Sequence, residues 1–210
     1  MTGDVDPSSF VVAAPRLVTC DPERATPGDP LGVVEDGAVA VVDGRIAHVG
    51  ARADVVAAVG PAVAAVEVPG GRLPPGLVDA HARAPYAGSR HVEYAARLAG
   101  ADYEAIAAAG GGIVSSMRAV REAGLAALAA ELRGRLGRMA RLGVTTIEAK
   151  SGYGLDLASE QKQLLAIRQL MQAPDLPRLV PTYLALHALP PEARGDRDGF
   201  AERIAEIDLP

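Results

Sequence analysis

Five side chains are of types, and at spacings, that could do chemistry together. In the stretch PPGLVDAHARAPYAGSR (74–90), Asp79, His81 and Arg83 follow the apolar pair Leu77-Val78. Side chains two apart on a strand share a face. A His-x-His pair at that spacing points two imidazoles at one metal ion, and neutral imidazole is a good ligand for zinc or iron. Here Arg83 takes the second place, and a guanidinium stays protonated with no lone pair to donate. Arg90 ends the AGSR loop, and its fork of N–H donors suits a carboxylate. Tyr153 lies between two glycines in SGYG, where positive φ lets a loop approach a ligand closely. His187 closes the apolar run VPTYLAL. Glu148 and Lys150 alternate onto one face of VTTIEAK, spaced to form an ion pair.

Other polar residues read as structural. His48 sits in a strand-like run and His91 on a surface-like helix. Arg133, Arg135, Arg138 and Arg141 lie off the apolar stripe of their helix and read as a solvated face. Gly110-Gly111-Gly112 lacks the spacing and the following lysine of a phosphate-binding loop. Tyr103 could border a pocket or belong to a core.

These residues need elements to hold them. Phe10–Thr19 reads as two short strands, FVVAA and LVT, followed by a loop with three prolines at Asp21–Leu31. Asp43-Gly44 between AVAVV and RIAHVG favours a tight type I′ hairpin, since both central residues need positive φ. A weak helix over Ala51–Val59 and a third run, AAVEVPG, complete a small β unit. From Pro75 the pattern turns to strand and helix in alternation. Leu77-Val78 reads as a buried strand. His91–Leu98 and Asp102–Ala109 read as short helices, the latter capped by Asp102. Leu125, Leu128, Leu132, Leu136, Met139 and Leu142 mark one helical face. Val144–Lys150 is a β-branched strand and Leu157–Met171 a helix with Asp156 as its cap. Leu179–Leu186 reads as the next strand and Gly199–Ile207 as the next helix. Such alternation argues a parallel sheet with helices outside.

The chain has 210 residues, of which 49% are hydrophobic and 22% charged, ordinary values for a soluble globular protein. Aromatics are 3% and tryptophan is absent, so the core must be built from Ala, Val and Leu. A net charge of −5 argues against a nucleic-acid partner. The single Cys20 excludes an internal disulfide. No apolar run reaches the ~18 residues of a membrane span, and no leader is visible, so the expected location is the cytoplasm.

PGLVDxH, AGSR, GGGI (110–113), KSGYGLD (150–156) and LHALPPE (186–192) occur together and in this order. In that combination the sequence resembles the imidazolonepropionases, histidine-degrading hydrolases of the amidohydrolase superfamily. The resemblance runs from about Phe10 to the end and covers the front portion of that family. It implies an α/β fold: a partial TIM-type (β/α) barrel, about its first three strands, over residues 71–210. It also implies the N-terminal part of a composite β-sandwich over residues 1–70. A closed barrel takes eight strands and ~250 residues, so the expectation is either a truncated reading frame or a homodimer or second chain that completes the barrel.

The resemblance implies roles as well. His81 matches a metal ligand, with zinc or iron as cofactor. Arg83 stands where the family has its second metal histidine, and the remaining ligands match nothing in this sequence. Arg90, Tyr153 and His187 match substrate-binding residues, for the propionate tail and the ring of 4-imidazolone-5-propanoate. The implied reaction is metal-dependent hydrolysis to N-formimidoyl-L-glutamate, with this chain alone inactive. A non-catalytic relic that binds a small carboxylate, or folds poorly, is the alternative. A deaminase of the same superfamily fits SGYGLD and LHALPP less well.

Overall fold

The computed structural model describes residues 8–60, 63–108 and 110–206, which form two compact units divided after Pro75. The expected fraying of residues 1–9 falls mostly outside these residues, as do Ala109 and Ile207, the ends of two expected helices.

In the first unit, β1 (Phe10–Val18), β2 (Val33–Val42), β3 (Arg45–Ala51), β4 (Ala65–Glu67) and β5 (Arg72–Leu73) make one sheet in the order β3-β2-β1-β4, with β5 also on β1. The helix α1 (Arg52–Val59) packs on β2 and β3. Asp43 and Gly44 have φ of 51° and 72°, as the hairpin between β2 and β3 requires. The two short strands expected at the start are one strand. Pro15 falls between the residues of β1 that pair with β4, ending at Ala13, and with β5, starting at Arg16, so its missing amide costs no rung. The core is thin and small-chained, built on Val11, Ala13, Ala38, Ala40 and Val55. Gly37 is required there, because a Cβ would stand 2.4 Å from that of Leu17.

The second unit holds a parallel sheet, β6 (Leu77–Ala82), β7 (Val144–Lys150) and β8 (Arg178–Thr182), in that order. Between β6 and β7 come α2 (His91–Leu98), α3 (Tyr103–Ala108), α4 (Ile113–Glu122) and α5 (Leu125–Arg141). α6 (Leu157–Leu170) joins β7 to β8, and α7 (Arg197–Ala205) follows two 3₁₀ turns. Leu128, Leu132 and Leu136 are fully buried, and with Ile147, Ala166 and Ile167 they form the core between the sheet and helices α5 and α6. Asp102 and Asp156 cap as expected, each accepting the amide three residues on, at 2.7 and 2.8 Å.

Four further expectations need correction here. Leu77 and Val78 are 54% and 67% exposed, because β6 is an edge strand of the described sheet rather than a buried one. The last leucine of the α5 stripe, Leu142, is the helix C-cap and 76% exposed, since Gly143 at φ 88° turns the chain away. The strand expected over Leu179–Leu186 ends at Thr182, and Ala185–His187 forms a 3₁₀ turn. Leu184 breaks the ladder by donating its amide to the Ser151 hydroxyl at 2.9 Å. Arg135 does not belong to a solvated face. It donates to the carbonyls of Ala84 and Tyr86 at 3.0 and 2.5 Å and stacks 3.5 Å from the Tyr86 ring centre.

The α5 stripe is a stability claim. Leu132→Ala is expected to cost about 2–5 kcal/mol in denaturant unfolding, and Leu142→Ala less than about 0.5 kcal/mol. Equal losses at the two positions would refute this account of the core.

Candidate functional site

The carboxyl ends of the three parallel strands feed the loops that carry the polar side chains. β6 delivers His81 and Arg83, but not by simple alternation. Asp79 pairs with Ile147 and Ala82 with Ala149, so β6 carries an extra residue here and bulges. The Asp79 carboxylate accepts the His81 amide at 3.1 Å within that bulge. His81 itself is exposed, and its ring has no hydrogen bond among the described residues. It lies close enough for its charge to bear on Glu148 and His187.

Arg83 is half-buried and donates to the imidazole of His187, 3.2 Å from Nδ1 and closer to Nε2. Its guanidinium carbon also sits 5.5 Å from the centre of the Tyr153 ring. Tyr153 in turn meets His187 edge-on at 6.3 Å and Tyr86 at 6.2 Å. Burial first, and the charge of Arg83 second, hold the His187 imidazole below its ordinary pKa. At neutral pH the ring is therefore uncharged and keeps a lone pair for Arg83.

A second group shares Tyr153. A cavity of about 270 Å³ is lined by Tyr86, Ser89, Arg90, Ser115, Ser116 and Tyr153, among others. Arg90 stands at the N-cap of α2, and Glu93 accepts from its Nε at 2.7 Å. That contact, with a further bond from the Gly112 amide, holds the Glu93 carboxyl below its usual range. The triple glycine thus buttresses the carboxylate that braces Arg90, and a Cβ on Gly111 would stand 3.1 Å from the Glu93 carboxyl carbon. Ser116, on the same cavity, is 6% exposed.

Glu148 and Lys150 form an ion pair, and the Thr182 hydroxyl donates to Glu148 at 2.7 Å. These bonds, that from Lys150 foremost, hold the Glu148 carboxyl below its ordinary range. His91 bonds the Ser89 hydroxyl at 2.9 Å. The side chain of Tyr103 lies outside the described residues.

The donor set does not fit a metal ion. His81 offers one imidazole. Its strand neighbour Arg83 is a cation, and the nearby Glu148 is taken by Lys150. No group of three or more His, Cys, Asp or Glu among the described residues could hold an ion. A lone imidazole beside two fixed positive charges is a poor cation site.

Sequence reading passed over the residues that fix Tyr153. Glu160 and Gln163, one turn apart on α6, are fully buried. Glu160 Oε2 accepts the Gly152 amide at 2.7 Å, and Oε1 accepts those of Gly154 and Leu155, both at 2.8 Å. Gln163 Oε1 accepts from Tyr153 and Gly154 at 3.3 and 3.1 Å, while its Nε2 donates to the Pro85 carbonyl at 2.5 Å. Arg121 closes the loop from the other side through the carbonyls of Gly154 and Leu155. The available signal was a glutamate and a glutamine three apart, just behind a glycine-rich turn.

Polar groups gathered beyond the ends of a parallel sheet, on loops braced by a buried acid, define an α/β chain with its candidate site at the carboxyl ends of the strands. No family model matches the chain. It is 48% identical over 181 residues to an imidazolonepropionase of Mesorhizobium japonicum, covering 86% of this chain and 44% of that protein. It is 46% identical over 197 residues to that of Caulobacter vibrioides, covering 93% of this chain and 47% of that one. The chain belongs to the imidazolonepropionase family and matches its N-terminal portion, spanning less than half the length of these curated relatives. Among solved structures, an uncharacterised protein matches with a TM-score of 0.50 and 16% identity, over 83% of this chain and 32% of that one. An ochratoxinase of A. niger matches with a TM-score of 0.49 and 18% identity, over 83% and 31%. No helix among the described residues is long and apolar enough to cross a membrane.

The Arg83–His187 contact makes a pH prediction. A histidine whose folded pKa is depressed contributes stability that is present above its ordinary value of about 6.5 and lost as pH falls through the folded value. An NMR titration of the His187 ring is expected to give a midpoint below about 6.5, rising in Arg83→Gln. A midpoint unmoved by that substitution would remove Arg83 from the account.

Proposed function

We propose that the chain is the substrate-holding N-terminal portion of an imidazolonepropionase-type hydrolase, which opens a C–N bond of the cyclic amide in 4-imidazolone-5-propanoate to give N-formimidoyl-L-glutamate. The observation that carries the reading is the cavity in which Arg90 and Tyr153 face one space, in a chain 46–48% identical to such enzymes. Arg90, braced by Glu93, offers fixed N–H donors to the propionate tail. Tyr153 and His187 orient the ring, with His187 neutral and, its lone pair taken by Arg83, able to donate one hydrogen bond. Ser115 and Ser116 add hydroxyls along the wall.

In this reading residues 71–210 are the first part of a (β/α) barrel, about three strands of it, and residues 1–70 part of a composite β-sandwich. The location is the cytoplasm. Zinc or iron is the cofactor that the family resemblance implies, with His81 as the one matching ligand. Because the donor set here does not fit an ion, no hydrolytic step is assigned to this chain's residues.

The non-catalytic alternative has an observation of its own in favour. Arg83 occupies the position of a metal histidine and is bonded to His187, so the pair forms a closed contact where a cation would have to enter. The two readings share carboxylate binding and differ in chemistry.

The isolated chain is therefore expected to show no turnover of 4-imidazolone-5-propanoate with added zinc or iron, followed by ring absorbance. It is expected to bind 3-(imidazol-4-yl)propionate in calorimetry. Arg90→Ala is expected to weaken that binding about tenfold, the worth of a hydrogen bond to a charged group. Metal-dependent turnover would overturn the inactive assignment, and binding indifferent to Arg90 would overturn the substrate-holding one.

A further inference from the structure

Four consecutive backbone amides, from Gly152 to Leu155, end on only two side chains, Glu160 and Gln163. Neither side chain lines the cavity, so neither is placed to touch a ligand there. A loop with two glycines has wide conformational freedom, and Gly152 sits at φ 106°. What removes that freedom is a carboxylate with two acceptor oxygens and an amide oxygen beside it. The Gln163 NH2 then reaches across to Pro85, whose neighbour Tyr86 forms the facing wall and meets the Tyr153 ring.

We infer that Glu160 and Gln163 are positioning residues that set the Tyr153 ring against its ligand and hold the two aromatic walls of the cavity at a fixed separation. The inference rests on the reading that Tyr153 faces a bound ring. Glutamate is needed at 160 for a chemical reason. Both of its carboxyl oxygens act as acceptors here and take three N–H donors. Glutamine there would turn an NH2 toward at least one of those donors, and the loop would open at that point. Leucine at 163 would leave the Pro85 carbonyl and the Tyr153 amide without a partner and the Gly154 amide with Glu160 alone.

The test uses the full chain, with Glu160→Gln and Gln163→Leu alone and each combined with Tyr153→Phe and Tyr153→Ala. The ring resonances of Tyr153 are followed by NMR, and amide exchange is measured at 152–155. Both single variants are expected to shift the Tyr153 ring signals toward those of an exposed tyrosine. Exchange at 152–155 is expected to rise at least tenfold, with the α5 amides unchanged. Binding of 3-(imidazol-4-yl)propionate is expected to weaken in Glu160→Gln. Adding Tyr153→Ala to that variant is expected to cost no more, because the two act as one unit. Additive losses would make the role merely structural and overturn the inference, as would unmoved Tyr153 resonances. A wild-type chain that binds no probe would instead sink the functional reading, while the ring signals and exchange would still decide the positioning claim.

Discussion

A buried carboxylate sets the terms for this half of the molecule. Glu160 is fully buried and has no ion-pair partner among the described residues. An isolated charge in such a place would be very costly and would neutralise instead. Three backbone amides replace the lost water. The loop is then gripped on both of its polar sides. Its N–H groups point into Glu160, and its carbonyls accept from Arg121, which is held by Asp156 at 2.8 Å and Glu192 at 2.6 Å. Asp156 is also the cap of α6, the helix that carries Glu160 and Gln163. Loop and helix therefore specify one another, and a side chain between two glycines ends up with one orientation.

How much of this could be read in the sequence depends on the range of the forces involved. The hairpin at Asp43-Gly44, the Asp102 and Asp156 caps and the leucine face of α5 are local, set by residues within a turn of each other. They were legible. The strand ending at Thr182 was not, because the apolar run continues through Leu186 while the chain is turned by a bond from Leu184 to Ser151, distant in sequence. Arg135 was misread for a related reason. Its helical position says solvent, but its length lets the guanidinium reach two carbonyls and a ring that belong to the loop after β6. Glu160 was hidden because a glutamate in the first turn of a helix already has an ordinary explanation in the helix dipole.

The candidate site shows the same division. Tyr153 and Arg90 could be singled out from neighbouring glycines and from their motifs, and the structure puts both on one cavity. The partner of Arg83 could not be foreseen, since His187 lies 104 residues away in sequence. Sequence reasoning supplied the negative statement that arginine cannot ligate a metal. The coordinates add a positive one: the guanidinium has a neutral acceptor and an aromatic face to rest on.

That contact shapes the electrostatics of the whole cluster. Lys150 has Glu148, Arg90 has Glu93, and Arg121 has Asp156 and Glu192. Arg83 has no carboxylate among the described residues, only a neutral imidazole and a ring. A half-buried cation without a counter-charge raises the local potential, and a low-dielectric surround extends its reach. Such a field opposes a divalent metal ion and favours an anion. On the proposed reading, a histidine exchanged for Arg83 removes more than one ligand from this spot: it reverses the sign of the charge that the spot attracts, and leaves in place the wall around Arg90 that is proposed to hold a carboxylate.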